Sequence, residues 1–147
     1  MMVRTLAFIV IFMTAWANSP NSFSQTFKIK TSTTGNGTSV YTQVFEADYV
    51  DEQPEFPGGG NEMINFINST RKYPQEAYEM GIEGRVTCAF VVNSDGKISN
   101  IKVIRGVESS LNNEAVRIVS LMPDWIPGKI NHQPVPVRVV RCIPFRR

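Results

Sequence analysis

The sequence contains few of the residues from which catalytic and metal sites are usually built. It has one histidine, His132, and two cysteines, Cys88 and Cys142, which do not form a Cys-x-x-Cys pair. His132 lies in a polar segment with no other ligand residue at suitable spacing, so we expect no metal site and no cofactor. Ser109 and Ser110 lack a partner that would activate a nucleophile, and helix capping explains them. These absences argue against an enzyme and against a small-molecule substrate.

A clustered basic surface is also missing. The 15 Lys and Arg residues are balanced by 13 Asp and Glu, and the only basic cluster is Arg146-Arg147. Nucleic-acid binding usually requires a stripe of Lys and Arg, so we expect none here. The glycines at 58–60 have neither a preceding strand nor a following Lys-Ser/Thr, and are interpreted as a linker rather than a phosphate loop.

No hydrophobic run is long enough to cross a bilayer as a helix. The apolar run at residues 6–17 has about 12 residues, whereas a spanning helix needs about 20. Arg4 precedes this run and small polar residues follow it, which is typical of a secretory signal. We predict a signal peptide at residues 1–24 with cleavage after Ser24. Cleavage after Ala17 is the alternative, and an uncleaved membrane anchor is the weaker interpretation.

The mature chain divides into two parts. Residues 25–57 are rich in Thr, Ser, Gly and Asn, and Gly35-Asn36-Gly37 could form a hairpin turn. Because a lone hairpin is marginal in water, this part is interpreted as a linker or lead-in. Residues 58–147 are assigned to one folded domain, beginning with a short helix at 62–68 that Asn61 could cap.

Within that domain, the hydrophobic spacing switches between helical and strand-like. A short helix is expected from Pro74 to Gly81. Residues 85–93 alternate as a half-buried strand, and Asp95-Gly96 indicates a two-residue hairpin turn to a second strand at 97–105.

The remaining elements are a longer helix and a final strand. Apolar residues recur at helical spacing from Leu111 to Met122, with Ser110 as the expected cap and Glu114 near the positive helix end. Residues 135–145 are β-branched but punctuated by prolines, which favours an edge strand. The fold class is therefore α+β: a small antiparallel three-stranded sheet in the order 2-1-3, with helices packed on one face and the third strand at an edge.

An ordered series of short motifs resembles the C-terminal domain of the TonB family. The series comprises Tyr73-Pro74, Gly81-Ile82-Glu83-Gly84, Phe90-Val91-Val92 before Asp95-Gly96, Leu111 with Glu114-Ala115 and Arg117, Met122-Pro123 with Trp125 and Pro127-Gly128, and Val135-Pro136-Val137 with Pro144-Phe145. The resemblance covers about residues 70 to 146.

The resemblance implies a periplasmic module in TonB-dependent transport. Such a module binds the TonB box of an outer-membrane transporter plug as an added strand at the edge of the third strand. The partner-binding residues would then be Val137, Arg138, Val139, Val140, Arg141, Cys142 and Ile143, with Tyr73 as a further candidate. An alternative is an envelope interaction or assembly protein, including a homodimer, that uses the same edge without energy coupling.

Four side chains have two interpretations each. An oxidising compartment would permit a disulfide between Cys88 and Cys142, but simple alternation places Cys142 out of phase with Val137 and Val139. Trp125 is expected to pack beneath the turn before the last strand rather than to serve as a binding anchor. Tyr73 could either pack against the sheet or contact a partner.

Overall fold

The computed structural model describes residues 26–33 and 39–147, with side chains from residue 43 onwards. The predicted signal peptide and the turn at Gly35-Asn36-Gly37 lie outside these residues. The elements, in chain order, are β1 (Thr26–Thr33), β2 (Ser39–Glu46), a 3₁₀ turn (Ala47–Tyr49), α1 (Gly60–Thr70), α2 (Gln75–Glu79), β3 (Gly84–Val92), β4 (Ile98–Arg105), α3 (Ser109–Ser120), β5 (Lys129–Ile130), β6 (Gln133–Pro134) and β7 (Val137–Phe145).

The main sheet has five strands in the order β1-β2-β7-β3-β4. Strand β3 pairs antiparallel with both β7 and β4, which is the predicted 2-1-3 arrangement of the three strands expected from the sequence. The prediction of only three strands, all antiparallel, is wrong, because β2 pairs with β7 in parallel. The prediction that the last strand forms a sheet edge is wrong at Val137 and Arg138, which pair with β2.

The additional strands come from the segment that we interpreted as a linker or lead-in. Strands β1 and β2 pair antiparallel over most of their length, and β2 joins β7 through Phe45 opposite Val137 and Glu46 opposite Arg138. A lone hairpin would be marginal, but this hairpin continues an existing sheet. The linker interpretation therefore fails over β1 and β2, and the domain boundary at residue 58 stays a prediction.

The hydrophobic core lies between the sheet and the helices. Alternate residues of β3 are buried on the side that faces α3; they are Val86, Cys88, Phe90 and Val92. They contact a fully buried stripe of α3, which consists of Leu111, Ala115, Ile118 and Val119. Ile67 of α1 belongs to the same core, with Met63 and Phe66 packed against it. The expected packing of helices on one face is thus observed.

Helix caps and turns differ in detail from the predictions. Helix α1 is capped by Gly59 rather than Asn61, and α3 by Glu108, whose carboxylate accepts a hydrogen bond from the Ser110 amide. The hairpin between β3 and β4 forms at Asp95-Gly96, but its loop spans residues 93–97 rather than two residues. Within the described part of the chain, no helix combines the length and hydrophobicity needed to span a membrane.

Candidate functional site

The backbone of β7 presents alternate residues to opposite neighbours. The amide of Phe45 in β2 donates to the carbonyl of Pro136 at 3.0 Å, so Pro136 faces β2. Since N–H and C=O groups of successive residues point to opposite sides of a strand, the even-numbered residues of β7 face β2 and the odd-numbered residues face β3.

Strand β2 covers only the beginning of β7. Its pairing ends at Glu46 opposite Arg138, and the following 3₁₀ turn lies against β7. The chain then leaves the sheet, and Glu52 pairs with Lys129 elsewhere. Among the described residues, no strand pairs with this side of residues 139–145, which we call the open stretch.

Two carbonyls of the open stretch are already engaged by arginine side chains. The Val140 carbonyl accepts a hydrogen bond from Arg141 Nη1 at 2.8 Å, and the Pro144 carbonyl accepts one from Arg71 Nη1 at 2.6 Å. Both carbonyls belong to even-numbered residues, as the alternation requires. Within the described part of the chain, no hydrogen bond engages the N–H groups of Val140 and Cys142 or the carbonyl of Cys142, so these groups remain for a partner. Charged side chains on a sheet edge are a common defence against unwanted strand pairing.

Trp125 holds the first of these arginines in place. The Arg141 guanidinium lies 5.7 Å from the centre of the Trp125 ring, and burial lowers the pKa of Arg141. Trp125 is 3% exposed and packs edge-on against Phe56 and Phe90. The expectation that this tryptophan packs beneath the turn is therefore confirmed.

An ion pair in α3 between buried Glu114 and partly exposed Arg117 positions the second arginine. Glu114 accepts hydrogen bonds from Arg117 Nη2 at 2.6 Å and from the Lys72 amide at 2.7 Å, and Arg117 donates to the Thr70 carbonyl at 2.7 Å. Residues 70 and 72 are therefore both tied to α3, which fixes Arg71 between them beside β7. Burial raises the pKa of Glu114, but hydrogen bonds from Arg117 and Lys72 outweigh it, so the pKa is lowered overall.

The structure divides the predicted partner-binding residues into three groups. Val137 and Arg138 lie beside β2, so their part of the edge is not free. Val139, Arg141 and Ile143 direct their backbone groups to β3. Only Val140 and Cys142 combine membership of the predicted set with an outward backbone.

Tyr73 packs within the protein instead of lying on the open stretch. Its hydroxyl donates to the Ile82 carbonyl at 2.5 Å, and its ring meets the edges of Tyr78 and Phe145. The packing interpretation of Tyr73 is thus the one that the structure supports.

The possible disulfide between Cys88 and Cys142 is not formed. Both thiols are free, with Cys88 buried and Cys142 exposed. Cys88 lies opposite Arg141 and Cys142 opposite Thr87, so the two sulfurs point to opposite faces of the sheet. Over residues 26–33 and 39–147, no group of three His, Cys, Asp or Glu side chains could hold a metal ion.

Sequence reasoning missed two parts of this site. From the sequence, Glu114 is expected to favour the helix dipole. The Glu-x-x-Arg spacing also permits an ion pair with Arg117, but it gives no sign of the burial of Glu114 or of its bond to the Lys72 amide. Arg71 gives no comparable local signal, because its role depends on a strand 73 residues away along the chain.

Comparison with known proteins identifies the same domain. The family described as Gram-negative bacterial TonB protein C-terminal matches residues 69–146, which is more than half of the chain. Protein TonB of Helicobacter pylori (strain J99) is 36% identical over 63 residues, covering 40% of this chain and 22% of that protein. Protein TonB of Pseudomonas aeruginosa is 44% identical over 53 residues, covering 36% and 15%. The chain thus spans about a fifth or less of the length of these relatives.

Two solved structures match part of this chain. The solution structure of the H. pylori TonB C-terminal domain (its residues 194–285) is 26% identical with a TM-score of 0.42, and the match covers 58% of this chain and 90% of that one. The P. aeruginosa TonB C-terminal domain is 28% identical with a TM-score of 0.43, covering 52% and 78%. Because the family match extends over more than half of its length, this chain belongs to the TonB C-terminal family.

Proposed function

We propose that this chain is a periplasmic binding module in TonB-dependent transport. It engages the TonB box of an outer-membrane transporter plug by adding that segment as a strand beside the open stretch. The proposed role is binding, without catalysis, cofactor, nucleic acid or small-molecule substrate. Periplasmic location follows from the expected signal peptide, which lies outside the described residues.

The observation that carries the proposal is the unpaired side of residues 139–145 in a TonB C-terminal domain. An extended peptide can bond to the Val140 and Cys142 amides and the Cys142 carbonyl directly. It can also take the Val140 and Pro144 carbonyls, if Arg141 and Arg71 withdraw. Main-chain bonding of this kind provides affinity without a deep pocket.

A titration with TonB-box peptides tests the proposal. We expect saturable binding to the full-length mature protein, with chemical-shift changes concentrated at Val140, Cys142 and their neighbours. The controls are two versions of the same peptide, one methylated at the odd-numbered and one at the even-numbered backbone nitrogens, so that each keeps every side chain but loses the donors of one edge. Equal binding of all three peptides would contradict strand addition.

The alternative is an envelope assembly protein that uses the same edge to pair with itself or another component. This alternative predicts that TonB-box peptides do not bind. It also predicts that the protein sediments as a dimer or associates with a different envelope protein in a pull-down from envelope extract.

A further inference from the structure

The face of the sheet opposite the helices carries a cluster of cations. Antiparallel partners in register project their side chains to the same face of a sheet, and successive residues of a strand alternate between faces. Three rows across β4, β3 and β7 therefore share the outer face; they are Arg85 with Pro144, Arg105 with Thr87 and Cys142, and Lys102 with Ala89 and Val140. Arg146 follows β7 and lines one shallow depression together with Arg85. We call the exposed cations of this surface the basic face: Arg85, Lys102, Arg105 and Arg146.

The charge of the basic face is not balanced by acidic side chains. The three rows contain no Asp or Glu. Among the residues whose side chains are described, no ion pair includes any of these four cations. Glu83, which precedes β3, instead bonds the backbone and the side chain of Arg147. The charge of this one face thus exceeds the net charge of +2 of the whole chain.

The sequence does not show this cluster. Its cations come from β3, from β4 and from the end of β7, so they are not adjacent along the chain. Only the sheet register brings them together. Strand β2 joins β7 at Val137 and Arg138, which lie at the other end of the β3–β7 ladder from Arg85, so it leaves this part of the face uncovered.

Exposed aliphatic side chains lie at the margin of the basic face. Ile104, which precedes Arg105, is 51% exposed, and Val107 is 40% exposed. A Cβ on Gly84 would lie 2.8 Å from Val107 Cγ2, so Val107 stands beside the start of β3 and close to Arg85. Cations together with exposed aliphatic groups suit the interface of a bilayer, where cations meet lipid phosphates and aliphatic groups enter the acyl boundary. A soluble polyanion would engage the cations alone.

We infer that the basic face docks onto an anionic bilayer surface, with the phosphates of phospholipid headgroups as its ligands. This interaction goes beyond the proposed function and shares with it only the expected export of the chain. Side chains of the basic face stand perpendicular to the sheet, whereas an added strand bonds in the plane of the sheet beside β7. The two partners therefore occupy different surfaces, and a membrane-bound molecule can still receive a peptide.

Co-sedimentation of the mature chain with lipid vesicles tests the inference. One set of vesicles contains phosphatidylglycerol in phosphatidylethanolamine, and the other contains phosphatidylcholine alone. At low salt we expect the chain to bind the anionic vesicles at least about tenfold more tightly than the neutral ones. Added salt should reduce this preference, because it shortens the range of the attraction between cations and headgroups.

Single substitutions then locate the membrane-binding surface. Arg85→Gln, Lys102→Gln and Arg105→Gln should each weaken binding to the anionic vesicles about fivefold. Lys97→Gln is the matched control, since it removes an exposed cation from the loop at the other end of the β3–β4 hairpin and should leave binding unchanged. Ile104→Ser should weaken binding to vesicles but not to inorganic polyphosphate, which has no acyl region.

The outcomes bear on the inference separately from the proposed function. Equal binding to anionic and neutral vesicles, or an equal loss in Lys97→Gln and Arg85→Gln, would overturn the inference. Polyphosphate binding as tight as vesicle binding, with no effect of Ile104→Ser on either, would indicate a general polyanion surface and would also overturn it. These results leave strand addition intact, because peptide binding is measured without lipid. Failure of the TonB-box peptide to bind would overturn the proposed function and leave the vesicle results unchanged.

Discussion

Two parts of the same strand differ in what lies beside them. Along its whole length β7 pairs with β3, yet on the other side Val137 and Arg138 meet β2 while residues 139–145 meet no strand among the described residues. The side-chain pattern of β7 does not change at this boundary. The difference arises because β2 ends at Glu46 and the chain turns away in a 3₁₀ turn.

The open part is protected by side chains rather than by another strand. Arg141 and Arg71 occupy the Val140 and Pro144 carbonyls, and each is held in place by buried groups. The open stretch can be exposed to a partner strand when the side chains of Arg141 and Arg71 move away. The part of β7 beside β2 can be exposed only if strand β2 itself dissociates. The comparison therefore explains how β7 can be held firmly in the sheet by β3 and still offer backbone groups to a partner strand.

Proline substitutions on adjacent residues should give the largest effects. In Val139→Pro, the lost N–H belongs to the ladder with β3 and the replaced side chain is only 2% exposed. We therefore expect the free energy of unfolding to fall by about 3 kcal/mol or more. In Val140→Pro, the lost N–H points outward, so we expect a stability change below about 1 kcal/mol and loss of peptide binding. Denaturant unfolding and peptide titration measure the two effects.

The two variants act as controls for each other. They introduce the same residue at neighbouring positions, and they differ in the direction of the deleted N–H and in the burial of the replaced valine. Two folded variants with the same peptide affinity would refute the proposed division between inward and outward residues.

Removal of Glu114 should loosen the end of the open stretch. Glu114→Ala leaves the partly buried Lys72 amide unpaired and Arg117 without its carboxylate, so we expect a loss of about 1 to 3 kcal/mol in unfolding free energy. The stabilising contribution of this carboxylate should also vanish in acid. Because the pKa of Glu114 is lowered in the fold, the contribution is present above the ordinary value of 4.5 and is lost as the pH falls through the folded pKa.

Glu62→Ala, on the exposed surface of α1, is the matched control for that experiment. It removes a carboxylate that only bonds Asn65, and we expect almost no change in stability. If Glu114→Ala unfolds no more easily than Glu62→Ala, the structural role given to the ion pair of Glu114 and Arg117 is wrong.

Alkaline pH should weaken the inner side of the open stretch. Burial raises the pKa of Cys88, which lies opposite Arg141, from an ordinary 9.0 to about 11, with a smaller contribution from Cys142. Between these values the unfolded chain releases a proton that the folded chain keeps. Stability should therefore be unaffected below pH 9 and then fall by up to about 1.4 kcal/mol per pH unit towards pH 11.

The Cys88→Ala variant isolates this effect, since its unfolded chain has no thiol at that position. Its stability should fall less steeply over the same range than that of the parent. Parallel curves of unfolding free energy against pH would show that the Cys88 thiol does not contribute.

The smallest effect is expected where β2 covers β7. Glu46 and Arg138 form a solvent-accessible ion pair at 3.5 Å across the two strands. Glu46→Gln should change the unfolding free energy by about 0.5 kcal/mol or less and leave peptide binding unchanged. A marked gain in peptide affinity would instead show that the covered part competes with the partner.

The sequence predicts those parts of the fold that depend on strong local periodicity. The alternation in β3, the helical stripe of α3 and the turn at Asp95-Gly96 each identify an element, and the right-handed crossover rule gives the order of three strands. The hairpin of β1 and β2 is an open alternative in the sequence, but the linker interpretation is preferred there because a hairpin would be marginal alone, whereas in the fold it joins β7.

The candidate site could be predicted only as a strand. The β-branched composition predicts a strand, and the resemblance to the TonB family implies that Val137 to Ile143 bind a partner. The division of these residues into covered, inward and outward ones requires the register with β2 and β3. The role of Arg71 depends equally on long-range contacts. Tertiary pairing therefore decides which atoms of the predicted strand are available.

Amide hydrogen exchange along β7 tests the central claim most directly. In the free protein, the amides of Val139, Arg141 and Ile143 should exchange slowly, because they bond to β3, while those of Val140 and Cys142 should exchange rapidly. Saturation with a TonB-box peptide should slow exchange at Val140 and Cys142 and change the others little. Slow exchange of all five amides before peptide is added, or no slowing at Val140 and Cys142 afterwards, would contradict an open edge that receives a strand.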